Sequence, residues 1–409
     1  MGYAYTVLGA GRQGVAIAYD LALHGEAEVL VLADSDLEAA ERARSRLAEL
    51  GCARACEIRA MRCDVLRSDE VAAALAGAKV AVSAVPFRFN VALTDAAIEA
   101  GASFCDLGGN TGVVREQLAR HQAAARRGVS IVPDCGLAPG LGNHLAAHGV
   151  ESLEEPRHVR VRCGGLPERP VGPLGYKLLF NFEGLINEYS GAAEVLRGGR
   201  RALVPALSEV EELDLGPPLG ILEAAITSGG TSTCPESWLG RLETCEYKTL
   251  RYPGHWRIVR ALFELGCFEP RVELEDGSLL EPRAVMRELF ERALAFPEVR
   301  DLAVLRVVVS GRHGGRERAL TYDVLERWDA GTGFSAMERA TAFPAALVAH
   351  LQARGLVAPG ARPLELSVPA GRFLEELPGH GIAVRIRSQL PTAQSATPKD
   401  ETPGGGPAP

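Results

Sequence analysis

No uninterrupted apolar stretch in these 409 residues approaches the ~18 that a membrane-crossing helix needs. No charged-then-apolar leader opens the chain either, since the first strand signal begins almost at Met1, so a cytoplasmic protein is expected. Positive charge is in deficit. The 44 Lys and Arg stand against 52 Asp and Glu, a net charge of −8, which leaves no basic footprint for nucleic acid or an anionic membrane and makes a small molecule the expected partner. Nine cysteines, an odd number scattered along the chain, do not form a disulfide framework. Cys52, Cys56 and Cys63 fit no zinc spacing, so reduced and mostly buried thiols are expected, with no metal site. No internal repeat is visible. What remains is 47% hydrophobic and 23% charged residues, the composition of a globular protein long enough for two domains with real cores.

The segment Tyr5 to Gly14 contains the spacing Gly9-Ala10-Gly11-Arg12-Gln13-Gly14. In a dinucleotide fingerprint the first glycine permits a tight turn, the second lets backbone approach the pyrophosphate, and the third lets the following helix pack close to the strand. The helix N-terminus adds free N–H groups and a positive dipole end. The context agrees: Val15 to Leu23 reads as a helix ending at Gly25, and Glu28 to Leu32 as a second strand tipped by Asp34. Asp34 falls where an acid takes the adenosine ribose hydroxyls. A carboxylate there repels a 2′-phosphate, and Ser35 and Asp36 follow in place of an arginine, so NAD is favoured over NADP. Arg42 and Arg44, on the second helix, read as a solvated face.

Strand and helix signals then alternate to about Asp134, the pattern of a doubly wound parallel sheet. Arg62 to Val65 reads as a third strand whose Asp64 and Val65 either border the adenine or, for Asp64, cap the helix Asp69 to Leu75. Val80 to Val85 reads as a buried strand. Ligands of such sheets bind beyond the carboxyl ends of strands, so Val85, Pro86, Phe87 and Asn90 are expected at the nicotinamide half of the cofactor. Two further strand ends, Phe104 to Asn110 and Ile131 to Gly140, place Asp106 and Asp134 before glycine-rich turns. A buried strand tip tolerates an acid only if its own loop satisfies it or a ligand does.

The expected organisation is a Rossmann domain over 1–140, an α+β substrate and dimerisation domain over 141–334 with a mostly antiparallel sheet, a helical segment over 335–387 returning to the Rossmann domain, and a disordered tail over 388–409. Within the second part, Val159 to Cys163, Leu222 to Thr227 and Glu246 to Tyr252 read as strands, and Glu183 to Val195 as a helix. Leu302 to Ser310 and Ala319 to Leu325 flank the hairpin signal Gly314-Gly315.

Taken in order, Val7 to Gly11, Asp106 to Gly109, Pro133 to Gly140, Glu183 to Leu185, Thr227 to Thr233 and Glu246 to His255 resemble the saccharopine dehydrogenase family, most closely its lysine 6-dehydrogenase branch. These stretches run through the first two thirds of the chain, and a weaker likeness extends to near residue 385. Pro173 to Lys177 and Cys135 lean instead toward saccharopine reductases, and Asn181 stands where serine is expected.

The resemblance implies NAD-dependent oxidation of an amine, such as the side-chain amine of lysine, to an imine that water converts to a semialdehyde and ammonia. It also implies that Asp134 and Asp106 hold the reacting nitrogen or activate water. Glu183 is a third candidate acid, or else serves its helix dipole. Arg251 is the candidate for the substrate carboxylate because its fork binds one bidentately, with Lys248, Thr231 and Tyr252 assisting. His255 either shuttles protons or caps the helix that follows it. Two alternatives stay open: a saccharopine-type enzyme acting on a secondary amine, and an NAD-binding sensor without turnover. A homo-oligomer, a dimer through the second sheet, is expected from size and architecture.

Overall fold

A computed structural model describes residues 2–390. The first half alternates strand and helix: β1 (Tyr3–Leu8), α1 (Arg12–His24), β2 (Ala27–Asp34), α2 (Leu37–Glu49), β3 (Glu57–Arg62), α3 (Ser68–Leu75), β4 (Val80–Ser83), α4 (Asn90–Ala100), β5 (Ser103–Asp106), α5 (Thr111–Leu118), α6 (His121–Arg127), β6 (Ser130–Val132) and α7 (Leu141–Glu151). The strands form one parallel sheet in the order β6-β5-β4-β1-β2-β3, so the order reverses between β1 and β4. That reversal opens a crevice above the carboxyl ends of both strands, where doubly wound sheets bind ligands. The middle of β1 is buried because helices cover both faces, hence the apolar run Val7-Leu8.

The chain continues with β7 (Glu155–Pro167), α8 (Phe182–Tyr189), β8 (Ala192–Arg197), β9 (Arg200–Pro205), β10 (Glu211–Asp214), β11 (Ile221–Ile226), α9 (Cys234–Ser237), β12 (Thr244–Arg251), α10 (His255–Glu264), the short pair β13 (Val272–Glu273) and β14 (Leu279–Leu280), α11 (Pro282–Ala293), β15 (Asp301–His313) and β16 (Arg316–Arg327). It ends with α12 (Ala336–Ala353), β17 (Gly360–Ala361), α13 (Leu364–Ser367), α14 (Ala370–Glu376) and β18 (Arg385–Gln389). The second sheet runs β10-β11-β12-β7-β15-β16-β18, with β8 and β9 branching from β12. Every pairing in it is antiparallel except β12 with β7.

The long helix α12 packs back on the first domain: Phe343 stacks on Tyr19 of α1, and Gln352 donates to the carbonyls of Phe104 and Ser130. β17 then extends the first sheet beside β6. A single hydrophobic cluster therefore runs from β1 through α12 into β7 and β15, welding the two sheets.

Three sequence expectations shift. The third strand is Glu57–Arg62, so Asp64 lies beyond its end rather than on it. The helix expected over 183–195 stops at Tyr189, because Ser190-Gly191 breaks it and Ala192–Arg197 finds pairing partners in β9 and β12. Of the expected tail, Ser388 and Gln389 pair with β16, while residues 391–409 lie outside the described residues. The expected thiols are all free, eight of them buried and Cys267 half-buried.

Candidate active site

At the crevice, the three glycines of the first turn do different work. A Cβ on Gly14 would sit 1.8 Å from the Gly9 carbonyl oxygen, and Gly9 itself has φ +100°, so packing and backbone geometry demand both. A Cβ on Gly11 would meet nothing within 4 Å. Gly11 therefore faces open space at the N-terminus of α1, the cradle a pyrophosphate would use. Asp34 seals the turn: its carboxylate accepts from the Ala10 N–H at 2.7 Å and the Asp36 N–H at 3.0 Å. The Arg12 and Gln13 side chains lean away, toward the start of α12, where Arg12 pairs with Glu338 at 2.6 Å and Gln13 reaches the Met337 carbonyl. Only their backbone stays with the cradle. Arg42 and Arg44 pair with acids of their own helix and its cap.

Around the rest of the crevice the expected cofactor residues are partly rearranged. Asp64 accepts from the Leu66 N–H at 3.0 Å in a local turn, and Arg67, not Asp64, caps α3. Val65 packs on the adjacent core. Val85 borders the Gly9 turn, and Phe87 lies against Gly109, where an added Cβ would come within 2.9 Å of its ring. Pro86 starts the short turn between them. Asn90 is buried and accepts from the Ser83 hydroxyl at 2.8 Å, bracing the tip of β4.

The two aspartates of neighbouring strand ends meet and divide the work. Asp106, fully buried, accepts from the Gly108 N–H at 2.7 Å, from the Gln117 amide at 2.7 Å and from the Asp134 N–H at 3.3 Å. Burial raises its pKa, and these donors hold the rise down. It is the clamp that shapes the turn. Asp134 has the left-handed φ of +66° and is 3% exposed, yet neither carboxylate oxygen makes a hydrogen bond of normal geometry among the described residues, although the Ser232 hydroxyl lies close enough to act on it. Its Oδ1 lies against Gly108, where a Cβ would be 2.2 Å away. Burial first, then the neighbouring Asp106, push its pKa well above the usual carboxylate range, with the Ser232 hydroxyl pulling the other way. Strain and an unsatisfied buried carboxyl at one residue are features that functional sites retain.

Facing these turns across the domain boundary is the loop Thr227 to Ser232, which with Gly109 and Asn110 encloses a cavity of about 240 Å³. Gly230 lies flat on the Tyr247 ring, with no room for a Cβ. The Asn143 amide holds the Thr231 carbonyl at 3.2 Å. The cavity wall contains hydroxyls and the carboxylate of Glu194, but no lysine or arginine. Among the described residues, the cations next to this wall are Arg115 of α5 and Arg201 of β9, which clasp Glu194 at 2.8 and 2.7 Å.

Alternation along β12 separates residues that the sequence groups together. Tyr247, Thr249 and Arg251 share one face; Glu246 and Lys248 share the other. Lys248 donates to the Glu209 carbonyl at 2.7 Å within an ion network in which Arg162, Arg197 and Lys248 outweigh burial and bring Glu246 to about 2. It is away from the cavity. Arg251 is buried in an aromatic box of Tyr176, Tyr189 and Trp256, its Nε donating to the Tyr189 hydroxyl at 2.8 Å. That full coordination leaves no open fork for a carboxylate. His255 belongs to the same box, bonded to the Leu174 carbonyl at 3.0 Å and the Tyr189 hydroxyl at 3.1 Å. Burial, then Arg251, lower its pKa to about 3. Tyr252 donates to the Pro167 carbonyl at 2.9 Å in the core. Glu183 is at the surface, paired with Arg283 at 3.2 Å.

Sequence reading did not single out Glu188, whose carboxylate receives the Thr249 hydroxyl at 2.5 Å, nor Thr249 itself. The signal was faint but present. Phe182, Leu185, Ile186 and Tyr189 make the apolar stripe of α8, which puts Glu188 at its edge rather than in solvent.

Residues 5–132 match the family described as the saccharopine dehydrogenase NADP binding domain, and residues 136–382 the saccharopine dehydrogenase C-terminal domain. Among solved structures, saccharopine dehydrogenase (L-Glu forming) from Saccharomyces cerevisiae is 17% identical, covers 95% of this chain and 100% of its own, and superposes with a TM-score of 0.76. A putative oxidoreductase from Magnetospirillum magnetotacticum is 14% identical over 93% of this chain and 99% of its own, with a TM-score of 0.39. Because the two family matches meet at the end of β6, one covering the glycine cradle and the other beginning just after Asp134, and together span nearly all described residues, the chain belongs to the saccharopine dehydrogenase family of oxidoreductases.

Proposed function

We propose that this oxidoreductase uses NAD to oxidise the side-chain amine of an amino acid, with L-lysine going to its 6-semialdehyde and ammonia. The observation that carries the reading is Asp134: a buried carboxyl with no well-formed hydrogen bond, set behind Ser232 in the wall of a cavity that the Gly109 to Gly112 turn shares with the second lobe. A cavity with the Glu194 carboxylate in its wall and no lysine or arginine among the described lining residues suits a cationic ligand, and an ammonium is one. The choice of NAD rests on Asp34, whose carboxylate stays at the tip of β2, while the nearby arginines Arg42, Arg44 and Arg62 are each paired with an acid.

Hydride leaves carbon only when the nitrogen lone pair is free, and a lysine amine is protonated at neutral pH. Freeing it costs about 4 to 5 kcal/mol at pH 7. An oxidised nicotinamide, when bound, supplies the acceptor for the hydride. Asp134 takes the ammonium proton, a role for which a raised pKa is an advantage because it lies closer to working pH. Asp106 keeps the Asp134 turn and the Gly108 loop in register. In place of Arg251, the rim pair Arg115 and Arg201 is assigned to the substrate carboxylate, exchanging Glu194 for it.

The test is a two-substrate assay. Reduction of NAD at 340 nm with ammonia release from L-lysine supports the proposal. Turnover of saccharopine with lysine inert points to the second reading, cleavage of a secondary amine, which Cys135 beside Asp134 and the Pro173 to Lys177 segment favour. Binding of NAD with no amine oxidised at all marks a sensor. A homo-oligomer is part of the same proposal, and light scattering on the purified chain checks it.

A further inference from the structure

The proposed oxidation leaves one proton behind in each turnover. An alkylammonium, the oxidised dinucleotide and water become an aldehyde, an ammonium ion, the reduced dinucleotide and one H⁺: hydride carries two electrons from carbon to nicotinamide, and hydrolysis breaks the C–N bond. Asp134, at 3% exposure, stands behind Ser232 of the cavity wall and has no direct access to bulk water. Its proton needs another way out.

The cavity wall offers one. Thr227 and Tyr247 both line the cavity, and their hydroxyls meet at Thr249, 2.7 and 3.3 Å from its Oγ1. Thr249 in turn donates to Glu188 Oε1 at 2.5 Å. The Glu188 side chain is 20% exposed, so this chain of groups begins at the substrate and ends at solvent. Glu188 is also fixed in place: its backbone carbonyl accepts from the Ser228 N–H at 2.9 Å, and Arg251 lies 3.9 Å from its other oxygen. That gives the Arg251 box a purpose other than binding substrate.

We infer that Thr249 and Glu188 form the proton exit of this site. The inference rests on the amine-oxidation reading. Asp134 gives its proton to the Ser232 hydroxyl, which passes its own to cavity water; Thr227 or Tyr247 accepts a proton from that water and gives its own to Thr249, which passes its own to Glu188, and Glu188 releases it to solvent. Each hydroxyl ends as it began, and no electrons move along the chain. The titratable and charged groups around Glu188 are Arg251 and Tyr247 of β12, Tyr189 of its own helix, Tyr176 and Cys163.

The experiment uses the full chain with NAD and L-lysine, saccharopine being run in parallel, and compares wild type with Glu188→Gln, Thr249→Val and Glu188→Asp. In single turnovers, NADH formation is followed at 340 nm and proton release with an indicator dye. The exit predicts that Glu188→Gln and Thr249→Val lower kcat by about tenfold to a hundredfold, enlarge the solvent deuterium isotope effect and make proton release lag behind NADH. KM for NAD and the melting temperature stay at wild-type values, and Glu188→Asp restores part of the rate. Wild-type kcat, isotope effect and prompt proton release in both Glu188→Gln and Thr249→Val would overturn the exit while leaving amine oxidation intact. Failure of the underlying reading is visible separately, as a wild-type protein that oxidises neither amine.

Discussion

A carboxyl held out of water without a donor is costly, and Asp134 is such a group. Its folded pKa is raised above the ordinary 3.8, so the protonated form is the one the fold favours. That contribution is full below the ordinary carboxylate pKa and is lost as pH rises through the raised folded value. Asparagine mimics the protonated form at every pH. Asp134→Asn is therefore expected to melt above wild type at neutral pH, with the gap closing in acid, while kcat falls about 10²- to 10⁴-fold. Thermal melts across pH together with initial rates decide this; equal melting curves at neutral pH would contradict it. Arg251 makes the opposite case. With its guanidinium packed on three aromatic rings, Arg251→Met should cost about 3 kcal/mol or more in denaturant unfolding. A residue that merely bound substrate would instead raise KM and leave unfolding unchanged. His255, already neutral far above a pKa of about 3, contributes no step to the pH–rate profile in the ordinary histidine range.

Between residues and whole lobes, the glycine turn shows how one motif carries two kinds of requirement. Gly14→Ala drives a Cβ into the Gly9 carbonyl and should destabilise the unliganded protein by about 3 kcal/mol, because the helix must shift off the strand. Gly11→Ala meets no protein atom. It should leave the unliganded melting temperature unchanged and weaken NAD binding by about tenfold or more, since the added methyl occupies the approach of the pyrophosphate. Calorimetric titration of both variants separates the two; unaltered affinity in Gly11→Ala would mean that no dinucleotide uses the turn. The fingerprint itself was readable from spacing, and so were most strands of the first sheet, because buried parallel strands are short apolar runs. Helix α8 was overextended for a physical reason: Ala192–Arg197 has no strong local preference, and its state is set by the antiparallel pairing with β9.

At the scale of the molecule, polar contacts between the lobes at the cavity include Arg115 with Glu194 and Glu236, and the Asn187 amide with the Gly109 carbonyl at 3.2 Å. The arginine is 40% exposed, so the pair adds little to stability. Arg115→Gln should accordingly leave the melting temperature near wild type and raise KM for the amino acid several-fold, an effect that added salt reproduces in wild type through screening. A large loss of stability with unchanged KM would assign Arg115 to the domain interface alone. The main join is apolar and extends well beyond the cavity, along α12 and β17, so a rim contact can open without parting the lobes.

Local patterning determined the parallel sheet, the cofactor turn, the acid at the second strand tip and the two aspartates at neighbouring strand ends, because each depends on period, spacing or backbone conformation within a few residues. Which of those aspartates was satisfied, which face of β12 met the cavity, and that Arg251 and His255 would be enclosed in rings from α8 and α10 depended on contacts between segments distant in sequence. Charge and hydrogen-bonding capacity are properties of a residue, but whether they are spent on the protein or left for a ligand is fixed only when the two lobes close around them.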